Sequence, residues 1–267
     1  MERDRWLERN LRGMKGAFGA FVRSAEGEVI EPNGVFAGVN PRVPERSIFN
    51  SVVYEDEAKL VAAYDELAAV YADCGCAWTV WVPEGDRRAA ALLENAGHTL
   101  DAAPRAMGME LDAFEAPEVG GIDWARTIDI EAAALLNDRV YGYPEGTWIR
   151  GCGREPEGLI TYVARLDGRP ASTVAARHAD GDCSIWSVAT AGWARGRGLA
   201  NALMCLALEE GSEAGCTTTT LQATKLGAPV YAKIGYRDFG ALQMWEQRPA
   251  ELAHEARPFD HAQPPQG

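Results

Sequence analysis

The C-terminal half of the chain alternates between strand-like and helix-like patterns of apolar residues. Residues 184–190 are rich in β-branched, aromatic and small apolar residues, which is typical of a strand. From Leu199 to Ala207 the apolar positions recur at helical spacing, which predicts a helix ending near Glu210. The β-branched run 217–223 predicts the next strand, and residues 227–235 predict a short helix closed by glycine.

Upstream of these elements the pattern predicts a helix and a hairpin. Residues 130–140 are helical in pattern, and residues 159–166 and 172–177 read as two strands joined by the turn pair Asp167-Gly168. The Pro- and Gly-containing stretch around residues 114–121 has the composition of a linker.

The N-terminal half repeats much of this order at an offset of about 140 residues. Residues 78–82 are the counterpart strand, and residues 89–96 the counterpart helix. The anchors are residues 47–50 against 184–187, Gly75-Cys76 against Gly215-Cys216, and Gly97 against Gly235. We interpret the offset as an internal duplication, and a chance similarity between two α/β segments is the alternative.

A glycine-arginine loop, Arg195-Gly196-Arg197-Gly198-Leu199-Ala200, lies between the predicted strand 184–190 and the predicted helix. A helix N-terminus leaves about four backbone N–H groups unpaired and favours an anion. Arg195 and Arg197 can add bidentate contacts to phosphate. A Walker loop is excluded because no Lys-Ser/Thr pair follows, and a dinucleotide fingerprint is weak because Asn201 replaces its last glycine.

The loop and its flanking elements together resemble the GNAT superfamily of acyl-CoA-dependent N-acyltransferases. Their pyrophosphate loop reads [QR]-x-x-G-x-[GA], which residues 195–200 fit at each constrained position. The resemblance covers about residues 122–248 and is strongest over 184–236. With the duplication it implies an α/β (α+β) protein with two GNAT-like domains, each a mixed, mostly antiparallel sheet flanked by helices. The expected division is a first domain at 1–116, a linker at 117–121, a catalytic domain at 122–250 and a tail at 251–267.

The resemblance implies a binding site for acetyl-CoA in the second domain. The backbone at Val188 would polarise the thioester carbonyl, and Tyr231 would protonate the departing thiolate, unless its role is only packing. Thr224 stands where many members carry an Asn that contacts the CoA arm. The implied donor-binding residues are Val188, Ala189, Thr190, Arg195, Gly196, Arg197, Gly198, Leu199, Ala200, Asn201, Thr224 and Tyr231.

The first half lacks this chemistry. Where the second half has the glycine-arginine loop, the first has no glycine and three acids, Glu55, Asp56 and Glu57, which would repel a pyrophosphate. Leu93 stands in the place of Tyr231. We therefore expect a degenerate half that cannot bind CoA and that walls the acceptor cleft or supports an interface.

The acceptor side is less clearly marked. Tyr141, Tyr143 and Trp148 are candidates for substrate contact, although a solvated turn with packing aromatics explains them equally well. An amine with a pKa near 10.4 is neutral in only a few parts in roughly ten thousand at pH 7, so a base is needed. Glu145 is the candidate, and ordered water is the alternative.

Composition narrows the partners. The net charge of −13 disfavours nucleic acid, and the absence of a long apolar run favours a cytoplasmic protein that does not bind membranes. The six cysteines form no regular framework, so we expect reduced thiols, and Cys74-Gly75-Cys76 has no companion that would make a metal site.

These observations favour an N-acetyltransferase that joins acetyl-CoA to a primary amine by direct attack, without a metal, with a small molecule as the preferred acceptor. A protein or peptide amine, a larger acyl donor, and a non-catalytic acyl-CoA sensor are the alternatives. A homodimer is compatible with the sequence.

Overall fold

A computed structural model describes residues 2–112, 114 and 121–255, and within them the chain forms seven α-helices and twelve strands. The helices are α1 (Glu2–Ser24), α2 (Glu57–Cys74), α3 (Arg87–Asn95), α4 (Glu131–Tyr141), α5 (Thr147–Cys152), α6 (Leu199–Glu213) and α7 (Ala228–Ile234). The strands are β1 (Glu28–Ile30), β2 (Phe36–Val39), β3 (Ser51–Val53), β4 (Trp78–Pro83), β5 (Thr99–Ala102), β6 (Arg105–Glu110), β7 (Asp123–Thr127), β8 (Leu159–Leu166), β9 (Arg169–Ala179), β10 (Asp182–Thr190), β11 (Thr218–Ala223) and β12 (Arg237–Gln247).

The two halves repeat one topology. In the first, β1, β2 and β3 pair antiparallel and β4 then pairs parallel to β3, with α2 as the crossover. In the second, β8, β9 and β10 pair antiparallel and β11 pairs parallel to β10 across α6. The predicted α/β fold, with two GNAT-like halves that each contain mixed, mostly antiparallel strands, is therefore confirmed.

One anchor of the predicted repeat is wrong. Residues 47–50 are not the counterpart of residues 184–187, because Ser47–Phe49 form a short 3-10 helix and the strand begins at Ser51. The later anchors hold: Gly75 and Gly215 follow α2 and α6 with φ of 63° and 87°. Gly97 and Gly235 likewise follow α3 and α7 with positive φ.

The strands of both halves join in one sheet of order β1-β2-β3-β4-β12-β6-β11-β10-β9-β8-β7, with β5 paired to β12. The last strand of the first half, β6, lies between β11 and β12 of the second half. In turn, β12 pairs along Leu242–Gln247 with β4 of the first half. The strands of the two halves are thus interleaved in one sheet. The domain boundaries expected at residues 116 and 122 stay a prediction.

Helix α1 packs across the junction of the halves and was not identified from the sequence. Acidic residues lie in its first turn and Arg23 in its last, as the helix dipole favours. Its buried face presents Leu11, Met14 and Phe18 to an apolar cluster that also contains Trp81 and Trp148. A single helix therefore holds side chains of both halves in one core.

The predicted hairpin is confirmed. β8 spans Leu159–Leu166, and Asp167 and Gly168 have φ of 51° and 75°, the left-handed pair that a two-residue turn needs. The predicted linker and tail fall largely outside the described residues. None of the described helices is both long and apolar enough to cross a bilayer.

Candidate functional site

The parallel strands β10 and β11 separate partway along their length. They pair only from Asp182 to Ser184, opposite Thr218 to Thr220. Beyond Trp186 the register of β10 with β9 also shifts, and Ser187 takes a φ of 49°, as in a β-bulge. The bulge and the separation lie beside a cleft whose lining includes residues 185–190.

The glycine-arginine loop lies at the mouth of this cleft. Gly196 and Gly198 both have φ of 75°, a left-handed conformation that a side chain disfavours. An added Cβ would meet nothing within 4 Å at either position, so the requirement for glycine is conformational. No side chain caps α6 at Gly198, and Arg195 and Arg197 are exposed without an ion pair among the described residues. The loop therefore combines uncapped N–H groups with two cations.

The corresponding helix start in the first half is closed. The carboxylate of Asp56 accepts a hydrogen bond of 2.8 Å from the backbone N–H of Ala58 at the start of α2. Glu57 adds a second negative charge in the same turn. An anion placed at this helix start would displace the hydrogen bond from Ala58 and meet two carboxylates.

Tyr231 lies on α7 beside the cleft. Burial and the nearby phenol of Tyr141 raise the pKa of Tyr231 above its usual value, so the hydroxyl stays protonated at neutral pH. The absence of a side chain at Gly227 leaves room for the ring, since a Cβ there would lie 2.8 Å from it. The hydroxyl of Thr224 accepts the N–H of Gly227 at 3.2 Å and so helps to begin α7.

Strand residues 185–190, the glycine-arginine loop, Thr224 and Tyr231 line one cavity of about 520 Å³. It brings together every residue predicted to bind the donor, together with Tyr141, Tyr143 and Trp148. Side chains of the first half, which the sequence analysis did not single out, complete its wall. They are Phe18, Arg46, Ile48 and Trp81.

The aromatic part of this wall joins the two halves. Phe18 packs against Trp186 at 5.4 Å between ring centroids and against Trp81 at 5.8 Å. Trp148 meets Phe49 edge to face at 5.0 Å. Trp148 is only 8% exposed, so most of its surface serves the core.

Two polar residues that the sequence analysis missed also line the cavity. Arg46 stacks on Tyr143 with 3.1 Å between the guanidinium carbon and the ring centroid. Asn137, on α4, is buried. The Nη1 of Arg46 and the Oδ1 of Asn137 have no hydrogen-bond partner among the described residues. No periodic sequence pattern marks Arg46 or Asn137. Both residues come to line one cavity only through the packing of the two halves against each other.

Glu145 lies outside the cavity, where its carboxylate pairs with Arg139 at 2.8 Å on the surface. The structure therefore does not place it beside an acceptor. The described residues that line the cavity include no carboxylate and no histidine. Burial raises the pKa of the Cys183 and Cys205 thiols, so neither is activated as a nucleophile. No three His, Cys, Asp or Glu side chains of the described residues are grouped as metal ligands.

The fold and the site define an α/β protein in which two halves of similar topology share one mixed sheet, with an uncapped helix start beside a separated parallel strand pair. The model of the acetyltransferase (GNAT) family matches residues 124–236. This segment is a GNAT acetyltransferase domain. No curated protein matches the sequence.

Solved structures support the same fold over more of the chain. A GCN5-related N-acetyltransferase from Kribbella flavida is 20% identical, with a TM-score of 0.65 over 92% of this chain and 98% of that one. A GCN5-related N-acetyltransferase from Sphaerobacter thermophilus is 18% identical, with a TM-score of 0.56 over 84% and 76%. A tandem GNAT protein from the clavulanic acid biosynthesis pathway is 15% identical, with a TM-score of 0.52 over 74% of each chain. At these identities the likeness concerns the fold alone.

Proposed function

We propose that the protein transfers an acetyl group from acetyl-CoA to the primary amine of a small molecule. The observation that carries the proposal is the continuity of the cavity. It runs from the uncapped start of α6, past the separated strands β10 and β11, to the hydroxyl-bearing Tyr231 and the wall formed by both halves.

This arrangement offers binding groups for both the pyrophosphate and the pantetheine arm of the donor. Its pyrophosphate binds the N–H groups at the glycine-arginine loop and the side chains of Arg195 and Arg197. Its pantetheine arm lies between β10 and β11, where backbone groups beyond Ser184 have no partner on the neighbouring strand. The arm then supplies the hydrogen bonds that the separated strands do not make with each other.

The transfer is a direct displacement. The neutral amine attacks the thioester carbon, and the oxyanion of the tetrahedral intermediate accepts the backbone N–H of Val188 in the bulge. Collapse breaks the C–S bond, the positively charged nitrogen of the intermediate loses one proton to water, and Tyr231 gives its proton to the departing thiolate. Tyr231 regains a proton from solvent, and the products are an amide and CoA.

Removal of the proton from the amine falls to water. The described lining of the cavity holds neither a carboxylate nor an imidazole, and Glu145 lies elsewhere. A water chain reaching the cavity mouth carries the proton away, so the rate rises with pH as more of the amine becomes neutral.

Calorimetry and a thiol-release assay test the proposal. We expect one acetyl-CoA to bind per chain, because the start of α2 is closed by Asp56, and we expect CoA to be released with small amines. Turnover on peptides but not on small amines would replace the acceptor class by protein amines. Binding without turnover on any amine or peptide would contradict the enzyme and favour an acyl-CoA sensor.

A further inference from the structure

The acceptor end of the cavity carries a buried cation. Arg46 is 7% exposed and lines the cavity, and its guanidinium stacks on the ring of Tyr143. A stacked guanidinium keeps its N–H groups in its own plane, where they can bind the two oxygens of a carboxylate. Nη1 has no hydrogen-bond partner among the described residues. The side chain is therefore oriented by Tyr143 while part of its hydrogen-bonding capacity is unused.

The neighbouring carboxylates are engaged elsewhere. Both oxygens of Asp138 face the backbone N–H of Trp148, at 3.0 and 3.3 Å, at the start of α5. Glu45 pairs with Arg150 at 3.0 Å. No ion pair of the described residues includes Arg46.

An unpaired buried cation is unfavourable. Burial accordingly lowers the pKa of Arg46, although Tyr143 and Asp138 act against that shift. A buried charge without a close partner is destabilising, so an anionic ligand that pairs with it relieves part of that penalty.

Asn137 places a hydrogen-bond acceptor in the same cavity, where Arg46 places a donor. Its Oδ1 is buried, lacks a donor among the described residues and belongs to a side chain that lines the cavity. A carbonyl oxygen of this kind accepts an N–H from an amine. One donor and one acceptor without hydrogen-bond partners among the described residues thus belong to residues that line a single cavity. They match the carboxylate and the amine of an amino acid.

We infer that the acceptor is a small molecule bearing a carboxylate as well as its amine, with the carboxylate bound by Arg46 and the amine held by Asn137. The inference rests on the proposed function and narrows its substrate class. Binding requires Arg46 to turn Nη1 toward the cavity while it remains over Tyr143. Purely cationic amines, and lysine side chains of proteins, lack the group that pairs with Arg46.

Matched substrates test the inference on the unmodified enzyme. The probes are amino acids, their carboxamides and the amines without the carboxyl group, for example phenylalanine, phenylalaninamide and phenethylamine, with γ-aminobutyrate and butylamine as a second set. Loss of a charge-assisted pair corresponds to about 10- to 100-fold in kcat/KM. We expect a preference of this size for the carboxylate member of at least one set. Equal or better turnover of the members without a carboxylate across all sets would overturn the inference.

Variants assign the preference to Arg46. Arg46→Gln should abolish it while the affinity for acetyl-CoA is unchanged, and Arg46→Lys should retain only part of it, because the ammonium lacks the planar fork. Asn137→Leu should raise KM for every amine but keep the preference for carboxylates. An equal loss on all members of a set in Arg46→Gln would overturn the role of Arg46. If that variant does not fold, Arg46→Lys and the unmodified enzyme carry the test.

A binding measurement separates this inference from the proposed function. Calorimetric titration of the CoA-loaded protein with the same amino acids and amides needs no turnover. Arg46-dependent binding of carboxylates without turnover would contradict the enzyme and support the ligand class. Turnover that favours amines lacking a carboxylate would support the enzyme and overturn the ligand class. If the titration shows no binding of carboxylates and the turnover assay shows no preference for them, the inferred ligand class is also overturned.

Discussion

The guanidinium carbon of Arg46 lies 3.1 Å from the ring centroid of Tyr143, and these residues belong to different halves of the chain. Arg46 lies in the loop between β2 and β3, and Tyr143 follows α4. Through Arg46, the first half, whose helix start at α2 is capped by Asp56, forms part of the wall of the cavity in the second half. The first half therefore has a defined place beside the cavity.

Tyr231→Phe tests the general acid. We expect kcat to fall about 100-fold, because the thiolate loses its proton donor, while the dissociation constant for acetyl-CoA stays the same. Steady-state kinetics and calorimetry measure the two effects. Tyr236→Phe is the matched control, since that hydroxyl contacts Thr219 at 2.7 Å and does not line the cavity. Unchanged kcat in Tyr231→Phe would contradict the acid role.

Gly198→Ala tests the conformation of the phosphate-binding loop. A side chain at φ of 75° costs about 1–2 kcal/mol and distorts the N–H groups that face the pyrophosphate. We expect a lower melting temperature and a weaker affinity for CoA. Gly215→Ala is the control at the opposite end of α6, with φ of 87° and open space around the added Cβ. It should lower stability similarly without changing CoA affinity, and equal effects of both variants on affinity would refute the loop assignment.

His98 makes the stability of the junction sensitive to pH. Its Nδ1 donates to the carbonyl of Trp245 on β12 at 3.1 Å, and its Nε2 accepts from the hydroxyl of Tyr64 at 3.0 Å. Burial lowers the pKa of His98 to about 4 from its ordinary value of 6.5. Between these values the unfolded chain binds more protons than the folded one, so stability is lost as pH falls through this window.

Between pH 7.5 and pH 5 this group should cost about 2 kcal/mol of unfolding free energy. His98→Gln, which can still donate to Trp245 and accept from Tyr64, should remove that part of the pH dependence in denaturant titrations. Burial raises the pKa of Asp182 to about 6, which acts in the opposite direction, so the difference between variant and unmodified protein is the relevant quantity. Parallel profiles for the two proteins would contradict the prediction.

The interleaved sheet predicts that the halves depend on each other. A fragment of residues 121–267 lacks β6, which separates β11 from β12, and a fragment of residues 1–116 lacks β12, which covers β4. We expect neither to bind CoA alone, and the mixture to recover one binding site per pair. The control is a chain with a protease site inserted within residues 115–120, which should stay associated after cleavage. Full CoA affinity of fragment 121–267 alone would contradict this dependence.

Elements with local signals were predicted well. The hairpin β8–β9, helix α6 and strand β11 follow from turn residues and apolar periodicity over adjacent positions. Helix α1 was missed although Leu11, Met14 and Phe18 have helical spacing. The counterpart of strand β10 was predicted about four residues before β3 begins. The residue types at 47–50 resemble those at 184–187, but they do not specify which residues pair.

The sequence by itself determined the residues that we propose bind the donor. The proposed binding uses the backbone conformation and N–H groups of consecutive residues in the glycine-arginine loop, so it can be predicted from a short stretch of sequence. Only the tertiary structure decided the acceptor side. In the folded chain Glu145 lies on the surface, Arg46 stacks on Tyr143, and Asn137 lines the cavity. Those contacts arise from the order of strands in one shared sheet, which no local pattern of apolar and polar residues encodes.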